Sequence, residues 1–96
     1  MDNNDLRIEH NPGESRYEMF RDGERIGYTD YRLGEGTILF TYIEVEPALQ
    51  GQGLASHLTK AALDDARDRG LKISARCPFI VDYLDMHPEY LEPTGS

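Results

Sequence analysis

The segment Glu44-Val45-Glu46-Pro47-Ala48-Leu49-Gln50-Gly51-Gln52-Gly53-Leu54-Ala55-Ser56 limits what this chain can fold into more than any other. It reads as a β-strand that enters a glycine-punctuated turn and then opens an amphipathic helix. The first N–H groups of a helix have no acceptor within it, and Gly51 and Gly53 offer no side chain to cover them. With the positive end of the helix dipole behind them, such amides suit a phosphate or another anion. A phosphorylated ligand is therefore expected here. The plainer alternative is a turn that uses glycine for backbone geometry alone.

On either side of this segment the hydrophobic period changes. Residues 6–9 read as a short strand closed by Asn11-Pro12-Gly13-Glu14, which is strong turn chemistry. Residues 15–21 return with Tyr17 and Met19 on one face and Phe20 on the other. Asp22-Gly23 predicts a two-residue hairpin turn, since both central residues need positive φ. Residues 24–33 follow with Ile26, Tyr28 and Asp30 alternating against Gly27, Thr29 and Tyr31. After Gly34-Glu35-Gly36, residues 37–45 form the longest β-rich run and the expected central strand. Beyond the glycine turn the period becomes 3.6: Leu54, Leu58, Ala61, Ala62 and Ala66 share a stripe with Leu63 beside it. Gly70 caps that helix. Residues 71–77 read as a further strand, stopped by Pro78, and residues 79–86 as a short helix. One crossover helix between strands makes the last strand parallel to its predecessor. The expected fold is thus α/β (α+β): a four-stranded antiparallel meander, a crossover helix, a parallel strand and a short C-terminal helix. It forms one domain over residues 1–96, with loose ends near 1–4 and 91–96.

Composition narrows the function. Asp and Glu outnumber Lys and Arg by 18 to 10, for a net charge of −8, which argues against a nucleic-acid partner because phosphate backbones need a cationic face. The acidity reads first as solubility and second as steering of a cationic amine. No apolar run approaches the roughly 20 residues that span a bilayer. The polar, acidic N-terminus is unlike a secretory signal, and the lone Cys77 suits a reducing compartment, so a cytoplasmic setting is expected. Three dispersed histidines give no metal-ligand spacing. A monomer and a weak homodimer both remain open.

A P-loop is excluded, because no Lys-Ser or Lys-Thr follows the second glycine. A dinucleotide fingerprint would need a third glycine and a second half-domain. Instead Gln50-x-x-Gly53-x-Ala55, after a strand ending in Glu-Val and opening a helix, resembles the Gln/Arg-x-x-Gly-x-Gly/Ala motif of the GNAT superfamily of N-acetyltransferases. The element order and the short chain, with Ala-Arg-Cys-Pro-Phe-Ile-Val-Asp-Tyr-Leu and His-Pro-Glu-Tyr near its end, resemble that superfamily's small single-domain GNAT-like members. The resemblance spans roughly residues 17–90. It implies an acetyl-CoA donor whose pyrophosphate meets the amides of Gln50, Gly51, Gln52, Gly53, Leu54, Ala55 and Ser56. It also implies that Val45 pairs its backbone with the pantetheine arm as an added pseudo-strand. One departure stands out: where these members carry His-Thr before Glu-Val, this chain has Tyr42-Ile43.

Acyl transfer to an amine needs a neutral nucleophile, a base and a donor to the developing oxyanion. Glu44, near the end of the central strand, is the candidate base, set against an ordinary solvent-facing glutamate. Cys77, expected where the sheet opens, is a candidate acetyl acceptor, set against a small core residue or channel lining. Tyr83 matches by resemblance a tyrosine that protonates the leaving thiolate, set against aromatic packing. His57 either meets a 3′-phosphate or covers the helix. The resulting expectation is an acetyl-CoA-dependent N-acetyltransferase acting on an amine acceptor, small molecule or protein. A non-catalytic CoA sensor or adaptor is the alternative, and a ligand-free structural module the weakest reading.

Overall fold

The computed structural model describes residues 6–91, so the chain ends expected to be loose, at 1–4 and 92–96, lie outside the described residues. Five strands lie in the order of the chain: β1 (Leu6–Asn11), β2 (Arg16–Arg21), β3 (Glu24–Gly34), β4 (Thr37–Val45) and β5 (Lys72–Ala75). The first four are antiparallel and β5 runs parallel to β4. Helix α1 (Leu54–Asp68) makes the crossover, and α2 (Pro78–Met86) follows β5. Two 3₁₀ turns, Pro47–Leu49 and Pro88–Leu91, were not foreseen; the second orders Leu91, placed in the loose tail by the sequence reading.

Local chemistry fixes several joints. Asp22 and Gly23 both take positive φ, +53° and +82°, as the hairpin between β2 and β3 requires. At the end of α1, Gly70 (φ +77°) donates to the Arg67 carbonyl and Leu71 donates to that of Ala66. That pair of bonds is a complete Schellman cap. Along α1 the buried side chains are Leu54, Leu58, Thr59, Ala62, Leu63 and Ala66. Ala61 is only half-buried, so the stripe turns slightly toward Thr59 and Leu63. These side chains cover one sheet face and share a core with Tyr17, Met19, Phe40, Ile73, Ile80 and Leu84.

Two irregularities decide which strand residues face that core. Met19 pairs with Gly27 but Phe20 pairs with Arg25, so Ile26 is an extra residue in β3. It therefore faces inward with Thr29 and Tyr31, and Tyr28 faces outward, correcting the shared face expected for Ile26 and Tyr28. In β4, Asp30 pairs with Tyr42 and Tyr31 with Phe40, which leaves Thr41 as the extra residue. Ile38 and Phe40 point inward before this bulge. Beyond it Val45 is buried and Ile43 half-buried against the core, while Tyr42 and Glu44 sit on the outer face.

The second bulge lies where β5 leaves its neighbour. Pairing of β4 with β5 ends at Phe40 opposite Ala75, closed by Arg76 N–H donating to the Phe40 carbonyl at 2.8 Å. β4 then runs on to Val45 along β3 alone. The strand expected over residues 71–77 is thus only four residues long. Cys77 is not in it: its extended backbone (φ −70°, ψ 124°) forms the N-cap of α2. The cause is Pro78, which lacks an N–H and holds the preceding residue extended.

Candidate active site

The gap left where β5 departs is a cavity of about 760 Å³, lined by the end of β4, the loop after it, the first turn of α1 and Phe79 of α2. That volume lies within the roughly 300–1,000 Å³ usual for small-molecule sites. Of the residues singled out from the sequence, Glu44, Val45, Gln50, Gly51, Gly53, Leu54, Ala55 and Ser56 line it. Gln52, between the two glycines, is exposed.

The loop's shape follows from its glycines. Gly51 (φ +87°) and Gly53 (φ +78°) both hold left-handed conformations, and a Cβ built on either meets no protein atom within 4 Å. Glycine is needed here for backbone geometry, and the space above it is open. Backbone hydrogen bonds of the loop end with Gln50 donating to Pro47 and resume with His57 donating to Gly53. Between them the amides of residues 51–56 have no acceptor among the described residues. Among the described residues no side-chain oxygen caps α1, no carboxylate stands in its first turn, and no Lys or Arg lines the cavity. Attraction for an anion therefore comes from oriented amides and the helix dipole.

Gln50, whose amide is expected to meet the pyrophosphate, donates that N–H to the Pro47 carbonyl at 3.3 Å. Its carboxamide folds back and donates to the Val45 carbonyl at 3.1 Å, tying the loop to the strand end. Gly27 backs that strand end closely: a Cβ there would come within 3.0 Å of the Glu44 carbonyl oxygen and 3.2 Å of Val45 Cγ2.

Glu44 is exposed on the outer face and accepts a 2.7 Å hydrogen bond from the Tyr42 hydroxyl. The Tyr28 hydroxyl stands 3.4 Å from the same oxygen, at the long limit of a bond. The carboxylate holds the Tyr42 phenol above its ordinary pKa through that hydrogen bond and its charge. Burial and then the Glu44 charge do the same for Tyr28. Both remain neutral donors.

The other candidates stand off the cavity's lining. Cys77 is 8% exposed and belongs to the core, though Phe79, two residues on, lines the cavity. Tyr83 stacks on His87 with centroids 4.2 Å apart, near Tyr90, and burial raises its pKa. His57 is exposed on α1. Sequence reasoning missed Tyr42, Ile43, Pro47, Leu49 and Phe79 as lining residues. Tyr42 was hidden by the bulge at Thr41, whereas Phe79 could have been found from its place beside Pro78 at a helix start.

Residues 16–93 match the family model described as GCN5-related N-acetyl-transferase. Protein NATD1 of Xenopus tropicalis is 31% identical over 91 residues, covering 91% of this chain and 84% of that protein. Protein NATD1 of Homo sapiens is likewise 31% identical, over 91% of this chain and 80% of its own length. The solution structure of a GCN5-like candidate N-acetyltransferase from Staphylococcus aureus superposes with a TM-score of 0.70 at 26% identity, over 93% of this chain and 87% of that one. N-acetylglutamate synthase of Neisseria gonorrhoeae, solved with coenzyme A and N-acetyl-glutamate, shares the fold at a TM-score of 0.62 and 17% identity. That match covers 76% of this chain and 18% of the synthase.

Proposed function

The chain belongs to the GCN5-related N-acetyltransferases, and from that premise we propose that it binds acetyl-CoA in the cavity between β4 and α1 and transfers the acetyl group to an amine. One observation carries this reading. The free amides of residues 51–56 and the unpaired edge of β4 beyond Phe40 border the same cavity. A ligand with a diphosphate at one end and an amide-bearing arm at the other satisfies both sets of backbone groups at once.

In this reading the amides of Gly51, Gly53, Leu54, Ala55 and Ser56 take the pyrophosphate. The arm pairs along β4 toward Val45, where it displaces the Gln50 carboxamide from the Val45 carbonyl. Glu44, on the cavity wall, receives the proton of the amine, directly or through a water. The amine nitrogen then bonds to the acetyl carbon as the carbon–sulfur bond breaks, and the departing thiolate takes up a proton. Cys77 is a second route, accepting the acetyl group as a thioester before the amine does, for which its buried thiol must reach the cavity beside Phe79. Tyr83, held against His87 and Tyr90, is given a packing role.

Calorimetric titration with CoA and acetyl-CoA, followed by assay of free CoA released with a panel of amines, tests the proposal. Binding with amine-dependent release supports an acetyltransferase. Binding without release would assign a CoA sensor instead, and no binding at millimolar ligand would remove both readings. A Glu44→Gln variant should bind CoA normally and lose about 10²–10⁴-fold in turnover. A +42-type adduct on Cys77, together with loss of turnover in Cys77→Ser, would establish the covalent route; full turnover in that variant would exclude it.

A further inference from the structure

The outer face of the sheet repeats one arrangement. Two rungs cross it in register, Asn11–Arg16–Asp30–Tyr42 and Glu9–Glu18–Tyr28–Glu44. The carboxylates of these rungs each meet a guanidinium, with one exception. Arg7 pairs with Glu9 at 2.7 Å, Arg25 with Glu18 at 3.1 Å and Arg16 with Asp30 at 3.0 Å. Arg16 and Arg25 also lie over the Tyr28 ring, 4.3 and 4.9 Å from its centroid. The unit is therefore a carboxylate, an aromatic ring and a cation between them.

At the rungs' cavity end the carboxylate and the ring recur as Glu44 and Tyr42, but no cation completes them among the described residues. Tyr42 is 47% exposed, and both residues line the cavity. Both phenols address Oε1 of Glu44, which leaves Oε2 without a partner among the described residues.

We propose that Tyr42, assisted by Tyr28, is a positioning residue that turns the free oxygen of Glu44 toward the cavity as the seat of an alkylammonium acceptor. This rests on the acetyl-transfer reading and adds to it the residue that positions Glu44. The ammonium sits beside Glu44 and against the Tyr42 ring, where charge and ring quadrupole both favour it. It gives one proton to the Glu44 carboxylate, from which it passes to solvent. The neutral nitrogen forms the C–N bond, the C–S bond breaks, and the second nitrogen proton goes to the CoA thiolate. An uncharged arylamine gains neither contact, and a carboxylate-bearing amine is repelled.

The experiment is steady-state acetylation by the full chain and by Tyr42→Phe, Glu44→Gln and the double variant. The acceptors are spermidine, a lysine-containing peptide with a blocked N-terminus, and aniline, and CoA affinity is measured in parallel by calorimetry. Tyr42→Phe should raise the KM for the alkylammonium acceptors about tenfold and leave CoA affinity unchanged. It should add nothing further in the Glu44→Gln background, since it acts through that carboxylate. Faster turnover of the peptide than of spermidine would place the ammonium on a macromolecule, the reverse order on a free polyamine; either supports the proposal. CoA binding with an unchanged acceptor KM in Tyr42→Phe would overturn this inference alone, as would CoA binding with aniline as the only acceptor acetylated. Failure to bind CoA would overturn the acetyl-transfer reading first, and this inference with it.

Discussion

Substituting Gly53 by alanine, with Gly36→Ala as its control, separates the need for a left-handed turn from the need for open space above it. Both glycines have positive φ, +78° and +70°, and a Cβ on either meets no protein atom within 4 Å. Each substitution therefore bears the same left-handed strain, about 1–2 kcal/mol. For a domain of this size that lowers Tm by about 4–16 °C in both variants. Gly36 precedes the nine-residue β4 and Gly53 follows it, at the N-cap of α1, and of the two only Gly53 lines the cavity. There the added methyl occupies space meant for the diphosphate and pushes it off the amides. Loss of one charge-assisted hydrogen bond, about 1.5–3 kcal/mol, weakens CoA binding about 10–100-fold. Thermal denaturation with and without CoA is the assay. At a hundredfold excess over Kd the ligand adds about 2.7 kcal/mol to the parent protein, a rise of about 10–20 °C. Gly36→Ala should keep that rise, whereas Gly53→Ala, 10–100-fold weaker, should keep only about 0.4–1.4 kcal/mol of it and so lose half or more. Equal rises in the two variants would show that the amides of residues 51–56 do not hold the ligand.

Four further outcomes are expected. Leu58 is fully buried where α1 meets the sheet, so Leu58→Ala should cost about 2–5 kcal/mol in urea denaturation, a large share of the usual total of about 5–15. Tyr17 donates a 2.6 Å bond to Asp65, which also takes Arg69 at 2.7 Å; Tyr17→Phe should remove about 1–3 kcal/mol. Burial and then the Arg69 charge hold His10 below its ordinary pKa of 6.5. The unfolded chain therefore takes up that proton first, and stability should fall as pH drops from about 7 through 6.5, until the folded-state value is passed. In His10→Gln this part of the urea-midpoint profile should be flat. At the alkaline end the sign reverses. Burial, then a hydrogen bond to a carboxylate, raises the Tyr17 and Tyr90 phenols, so stability should decline above about pH 10.

What the sequence made legible was local. Asp22-Gly23, Gly70 and the glycines at 51 and 53 each declare their own backbone conformation, so the meander, the crossover and the anion-suited turn could be read directly. The bulges could not. An extra residue at Ile26 or Thr41 exists only relative to the strand beside it, yet it decides that Tyr28, Tyr42 and Glu44 share the outer face. Cys77 was misplaced for a related reason: where β5 stops depends on its last bond to Phe40 as well as on Pro78. The Gln50 carboxamide could reach outward or back to Val45, and nothing local to the motif decides between them.

The most direct test of the central claim is an amide map by NMR of the isotopically labelled protein titrated with CoA. The account requires the largest shifts at residues 51–56, with Val45 and Gln50 following as the carboxamide leaves the Val45 carbonyl. Saturating CoA that leaves those amides unmoved, or moves instead the residues around His10 and Arg69 at the far end of the sheet, would contradict it.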